Sequence, residues 1–358
     1  MDRTDINNIK KILKSTYLSF LFGAGTSYHE VDGKQHYPLM KHLVEGIVND
    51  SGFKAYKQYF DENISQRVIV KNIIDTYLLC DEANIETFLS FLEGSDNYIT
   101  DTDVKEKTKE LQKCVKAYIL NRIESSDEST IVDIYSKFYK SLRKLKEQTS
   151  FPEQSFNVFT TNYDMLNEIS MENIGTHYYS GFNGLVNRKF NITYYGSKYV
   201  NSYNIKNSQF ILDDNHINLY KLHGSISWQI VDGDLYEFNP KKVEISNPEI
   251  IYPSVSKFDN TNLITYYSAL MREFSNSICK KDSTLVVCGT SLRDEHINKI
   301  IENALLINSF TLIIFAYGDE QIKSLEEKYK HYDNAIVYNE NTDFEKLATI
   351  ISEICNDE

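Results

Sequence analysis

Cysteine is scarce and poorly spaced for any structural use: there are five, Cys80, Cys114, Cys279, Cys288 and Cys355, and no two of them form a CxxC pair. That excludes a disulfide framework and a zinc knuckle, and predicts free thiols and no metal site. Positive charge is also in deficit, with 38 Lys and Arg against 51 Asp and Glu and a formal net charge of -13. Coating a phosphate backbone needs the opposite balance, so direct nucleic-acid binding is not expected. No run approaches the roughly 18 apolar residues of a membrane-spanning helix. The opening "MDRTDINNIKKILKSTYLSFLFGAG" has no secretory apolar core followed by a small-residue cleavage site, so the expected location is cytoplasmic, with no membrane partner. Repeats and low-complexity linkers are missing too, and the 358 residues read as one domain over 1–358 with a substantial core.

What is present is a set of short continuous apolar runs. Strands buried on both faces of a parallel sheet lose their polar alternation, and five stretches fit: Tyr17 to Phe22, Phe156 to Thr161, Leu219 to Leu222, Thr284 to Cys288 and Thr311 to Tyr317. Ala335 to Tyr338 is a weaker sixth. Four of the runs end in small or polar signals, "GAGTS", "TNYD", "HGS" and "GTS". Ligands of open α/β sheets gather beyond the carboxyl ends of strands, so these four ends predict one shared crevice.

Between the first two runs the periodicity is helical. Ile85, Phe88, Leu89 and Leu92 fall at i, i+3, i+4 and i+7, and a second stripe runs from Ile131 through Ile134, Tyr135, Phe138 and Leu142 to Leu145. Core packing explains both stripes, and residues 40–150 read as a helical insertion. Residues 176–216 are polar and irregular and read as a hairpin or loop excursion.

The strand ends carry the chemistry. Gly23 and Gly25 follow a strand directly, where missing side chains let backbone N–H groups approach a diphosphate, or simply let the chain turn. Ser27 can donate to a phosphate or cap the next turn. Thr160, Thr161, Asn162 and Asp164 form a polar cluster at the end of an apolar strand, with no evident cap to make. His223 stands where a base would face the crevice, although a lone histidine is often structural. Gly289, Thr290 and Ser291 suit a ribose or a phosphate. Asp294, Glu295 and His296 read as the acidic first turn of a helix, since consecutive helical residues point in different directions and do not share a metal.

Together, "GAGTS", "TTNYD", "LHGS" and "CGTSL" resemble the sirtuin family, which carries these four motifs in this order on a Rossmann-type α/β sheet. "NIETFLSFLEG" and "YPLMKHL" are similar to its bacterial branch. The resemblance implies that NAD is bound and its bond between nicotinamide and ribose broken. It implies that Gly23, Ala24, Gly25, Thr26 and Ser27 hold the diphosphate and that Thr161 belongs to the cofactor-binding set. Asn162 is implied to bond the nicotinamide ribose, Asp164 the nicotinamide carboxamide, and Gly289, Thr290 and Ser291 the adenosine ribose. His223 is the implied general base.

Two departures narrow the expectation. The deacylases of the family carry a four-cysteine zinc module after the His-Gly pair, and no cysteine lies between Trp228 and Cys279 here. The arginine after the cofactor-loop proline is missing as well, since Pro38 is followed by Leu39, Met40 and Lys41. The resemblance therefore implies the antiphage branch: an NAD+ hydrolase with no zinc, controlled by assembly into a homo-oligomer or by a HerA-like ATPase partner. A deacylase or ADP-ribosyltransferase, and a non-catalytic NAD or ADP-ribose-binding subunit, are the alternatives.

Overall fold

The computed structural model of the chain describes residues 3–62, 64–151, 154–201, 211–213, 216–239, 261–338 and 340–356. They form two compact units, one of Met1–Ser27, Glu128–Glu249 and Thr265–Glu358, the other of Tyr28–Asp127 and Ile250–Ile264.

The first unit is built on one sheet of seven strands: β1 (Tyr17–Phe22), β2 (Phe156–Thr160), β3 (Tyr178–Tyr179), β4 (Ile217–Lys221), β5 (Ser283–Cys288), β6 (Thr311–Phe315) and β7 (Ala335–Tyr338). Their order is β7-β6-β5-β1-β2-β4-β3, and every pairing is parallel. This is the expected α/β, Rossmann-like fold. All five predicted runs and the weaker sixth are strands; Tyr17–Phe22 and Ala335–Tyr338 coincide with them, and the other four differ at one or both ends by a residue or two. The seventh strand, Tyr178–Tyr179, lies inside the stretch read as an excursion and pairs at the sheet edge with Ile217 and Asn218. The rest of that stretch includes a hairpin of Tyr199–Asn201 and Ile211–Asp213, while residues 202–210 and 214–215 lie outside the described residues.

Why the runs lack alternation is visible in β1. Phe20 and Phe22 pack on one face against Phe138 and Phe344. Leu21 points to the other face, into the cluster that holds Phe159, Tyr220, Phe274 and Leu285. Each buried aromatic of this kind contributes about 1.5–3 kcal/mol of transfer free energy. The helices of this unit are α1 (Arg3–Ser15), α7 (Ser129–Glu147), α8 (Leu166–Asn173), most of α9 (Thr261–Ile278), α10 (Glu295–Leu305), α11 (Asp319–Tyr329) and α12 (Phe344–Asn356). The long stripe begun at Ile131 is α7, which belongs to the unit of the sheet and not to the helical one.

The second unit contains α2 (Met40–Asn49), α3 (Ser51–Asp61), α4 (Arg67–Tyr77), α5 (Ile85–Gly94) and α6 (Thr102–Glu124), with a hairpin of His29–Val31 and Lys34–His36. Ile85, Phe88, Leu89 and Leu92 are all buried, as their spacing predicts, and Asn84 caps α5 by accepting from the Thr87 N–H at 3.1 Å. Among the described residues, no helix is long and apolar enough to cross a membrane.

Candidate active site

β1 leads to β2 and β4 on one side, whereas β5, β6 and β7 run off on the other, so the strand order reverses between β1 and β5. This is where open α/β sheets bind ligands. In register, Phe22 pairs with both Thr160 and Cys288, and Thr160 pairs with Lys221. The four predicted loops therefore leave one edge of the sheet side by side.

They are also stitched together. Gly23 N–H donates to the Cys288 carbonyl at 3.1 Å, and Gly25 N–H to that of Gly289 at 2.8 Å. Thr161 N–H and, more weakly, its hydroxyl return to the Phe22 carbonyl at 3.0 and 3.4 Å. The Tyr163 carbonyl accepts from Ile226 N–H at 3.0 Å and the Ser225 hydroxyl at 3.3 Å, tying the Asn162 loop to the His223 loop. The glycines earn a second explanation here. Gly289 has φ +70, and a Cβ on it would sit 2.4 Å from the Thr26 nitrogen, so only glycine lets the β1 and β5 loops meet. The N–H groups of Gly23 and Gly25 are thus spent on the neighbouring loop. Ala24 between them is exposed.

Asn162, Ser27, Thr26 and Asp164 come together below this edge, and all four are buried. The Asn162 amide nitrogen donates to the Gly23 carbonyl, Thr26 Oγ1 and Ser27 Oγ at 3.0, 3.1 and 2.9 Å. Its Oδ1 has no partner among the described residues. Ser27 donates to Asp164 Oδ2 at 2.8 Å, and Asp164 Oδ1 accepts from Leu166 N–H at 3.0 Å. Thr26 gives its single hydroxyl hydrogen to the Gly23 carbonyl at 2.9 Å, so Tyr135, 2.7 Å away, must be the donor in that contact. Burial raises the Asp164 pKa, an effect opposed mainly by the charge of Lys221. Lys221, fully buried, donates to the Asp164 carbonyl and pairs with Glu168 at 2.9 Å. Burial raises Glu168 as well, again opposed by Lys221.

His223 bonds to none of the other predicted residues. Its Nε2 meets Asp294 Oδ2 at 3.1 Å, and Nδ1 has no partner among the described residues. Gly224, with φ +83, turns the chain just after it. Asp294 is the N-cap of α10, where its Oδ1 accepts from His296 and Ile297 N–H at 2.8 and 3.0 Å. Although burial pushes Asp294 up, the hydrogen bond and charge of His223 and the two backbone donors outweigh it, and its pKa is lowered. Of the last predicted trio, Gly289 is used in loop packing, Thr290 accepts from Leu292 N–H at 3.1 Å, and Ser291 is exposed. Among the described residues no group of three or more His, Cys, Asp or Glu is placed to hold a metal.

The SIR2-like domain model matches residues 157–337, more than half of the chain. The chain belongs to the SIR2-like family. The match takes in Asn162, Asp164, His223 and the Gly289 loop, while Gly23 to Ser27 precede it. SIR2-like domains are in general NAD-dependent enzymes, so NAD-related chemistry follows from membership. No curated protein matches the chain.

Three contributors escaped the sequence reading: Tyr135, Lys221 and the pairing of Asp294 with His223. In sequence, Tyr135 belongs to a core stripe and Lys221 to a strand. Asp294 gave a usable signal, an acid at a helix start, but one of its two oxygens does something a cap does not require.

Proposed function

We propose that this SIR2-like chain hydrolyses NAD+ to nicotinamide and ADP-ribose at the β1, β2, β4 and β5 loop ends. One observation carries the reading: two side-chain atoms, Asn162 Oδ1 and His223 Nδ1, have no partner among the described residues while the opposite end of each side chain is fixed by hydrogen bonds. Acceptors held in this way suit hydroxyl groups of a ribose or an attacking water.

Hydrolysis breaks the bond from ribose C1′ to the nicotinamide nitrogen, whose electron pair leaves with nicotinamide; water supplies the new hydroxyl and one proton is released. His223 Nδ1 takes that proton. Asn162 Oδ1 accepts from a ribose hydroxyl or the water and, as a fixed partial negative charge, stabilises the positive charge developing on the sugar. Asp164 has both carboxylate oxygens engaged by Ser27 and Leu166, so its part here is to hold Ser27 and through it Asn162. The exposed Ala24 and Ser291 at the tips of the β1 and β5 loops are the groups left to meet the diphosphate and the adenosine ribose.

The absence of cysteine between Trp228 and Cys279 supports a water acceptor over an acyl-lysine peptide, since the zinc module of deacylases has no ligands there. The wider reading is an antiphage effector that depletes NAD+ and is held silent by homo-oligomer assembly or by a HerA-like ATPase subunit. It rests on the resemblance of the four motifs. The test is chromatography of NAD+ incubated with the protein, alone and with the product of the adjacent gene. Nicotinamide should appear, and Asn162→Ala and His223→Ala should each lose about 10²-fold or more of the rate. Equal rates for the parent and both variants would sink the reading.

A further inference from the structure

The Asp294 carboxylate has two oxygens and each has a different task. Oδ1 accepts two backbone N–H groups and closes the first turn of α10. Oδ2 is turned away from the helix and lies 3.1 Å from His223 Nε2. A helix cap needs only the first of these, and Asn or Ser would serve it as well. The second contact is a carboxylate against an imidazole, both largely withdrawn from water, with side chains 12% and 7% exposed.

The loop that delivers Asp294 is fixed from several sides. Leu292 adopts φ +50, in the left-handed region that a leucine enters only when its surroundings hold it there. Its carbonyl accepts from Asn298 Nδ2 at 2.5 Å and Lys328 Nζ at 3.1 Å, and the Thr290 carbonyl accepts from Gln321 Nε2 at 3.0 Å. The position of Oδ2 is thereby set by β5, α10 and α11 together and does not depend on His223.

We propose that Asp294 is a positioning residue, whose Oδ2 holds His223 as the Nε2–H tautomer and so leaves Nδ1 as the proton acceptor. A neutral imidazole has one donor and one acceptor, and a carboxylate can only accept, so the nitrogen facing it carries the hydrogen. The same carboxylate then stabilises the imidazolium once Nδ1 has taken a proton, without being protonated itself. The inference rests on the hydrolase reading for its catalytic consequence, but the tautomer does not.

Asp294→Asn separates the two tasks. Its amide oxygen can remain on the His296 and Ile297 N–H groups, while its amide N–H₂ faces Nε2 and forces the opposite tautomer, with the hydrogen on Nδ1. Long-range ¹⁵N–¹H correlation spectra of the full chain, with the His223 signals identified by their loss in His223→Gln, should show Nε2–H in the parent and Nδ1–H in Asp294→Asn. Nicotinamide release by Asp294→Asn should fall about 10²-fold in kcat with KM for NAD+ unchanged. Asp294→Ser keeps the cap without imposing a tautomer and should show a mixture of the two forms. Both variants should fold as the parent does, with only a small fall in thermal midpoint, because each keeps the cap and loses the stabilising charge. An unchanged His223 tautomer in Asp294→Asn, or parental kcat in that variant, overturns the proposal. If the parent releases no nicotinamide, the hydrolase reading falls and the spectra still decide the role of Asp294.

Discussion

Asn162 spends its amide hydrogens on three acceptors and is braced by Ser27, Thr26, Tyr135 and Asp164, whereas the His223 ring has, among the described residues, a single hydrogen-bond partner, Asp294 at 3.1 Å. Both residues stand two positions beyond a register pair, Thr160 with Lys221, at the same edge of the same sheet. The two carboxylates behind them are displaced in opposite directions, Asp164 upward by burial and Asp294 downward because its partners outweigh burial. The difference fits the proposed roles. A group that must remain an immobile acceptor tolerates many bonds, whereas a group that gains and loses a proton needs one partner whose bond survives both states.

The heaviest brace on the Asn162 side is Lys221, and removing it should have the largest effect. Lys221→Met leaves Glu168 buried without its cation and the Asp164 carbonyl without its donor. Breaking a buried pair in this way costs about 3–5 kcal/mol. Urea unfolding should register that loss, and Lys221→Met with Glu168→Gln should recover much of it. If the single variant unfolds at parental urea, the pair does not support this half of the site. Ser27→Ala comes next: it removes the donor to Asp164 Oδ2 and an acceptor of Asn162 together. Leaving a buried carboxylate oxygen unpaired costs about 1–3 kcal/mol. The midpoint should fall with the nicotinamide-release rate, since the same hydroxyl fixes both neighbours. A drop in one without the other would separate the brace from the chemistry.

Much of this arrangement was legible because burial on both faces leaves a mark in sequence. The runs around Phe20, Val158, Leu219 and Val286 have no polar alternation, and all four are inner strands of the sheet. The polar clusters at their ends were legible for the same reason, as abrupt changes of composition. What could not be read were partnerships between distant positions. Tyr135 lies 109 residues from Thr26, Lys221 lies 57 from Asp164, and Asp294 lies 71 from His223. Each has a satisfactory local explanation, as core stripe, strand residue or helix cap, and nothing local signals the second contact. The glycines carry two readings at once: an open turn for a diphosphate and a close approach of two loops call for the same residue, and the N–H groups of Gly23 and Gly25 bond the neighbouring loop.

Tyr135→Phe is a milder cut into the Asn162 side. It deletes the hydroxyl that donates to Thr26 and keeps the ring packed against Phe22 and Phe344. Thr26 retains its bond to the Gly23 carbonyl, so the expected loss is one buried hydrogen bond, about 1 kcal/mol. A thermal melt should show a small fall, with nicotinamide release reduced only a few-fold. A loss of activity as large as that of Asn162→Ala would make Tyr135 a participant in the chemistry and break the division between brace and acceptor.

The opposite displacement of the two carboxylates gives the smallest and most specific effect. Asp294 has a folded pKa below its unfolded value, so its ionised form favours folding. That contribution is present above the unfolded pKa of about 3.9 and is lost as pH falls through the folded value. Asp164 has a folded pKa above its unfolded value, so its contribution is present below the unfolded pKa and lost as pH rises through the folded one. Unfolding free energies measured in urea from about pH 7 to about pH 3 should therefore diverge in sign. The deficit of Asp294→Asn relative to the parent should shrink on acidification, because the parent gives up the charge that the variant already lacks. The ionisation cost that Asp164→Asn escapes is largest at neutral pH, so the variant should lose ground to the parent on acidification. If both variants move in the same direction with pH, the two halves of the site do not differ in the way their hydrogen bonds imply.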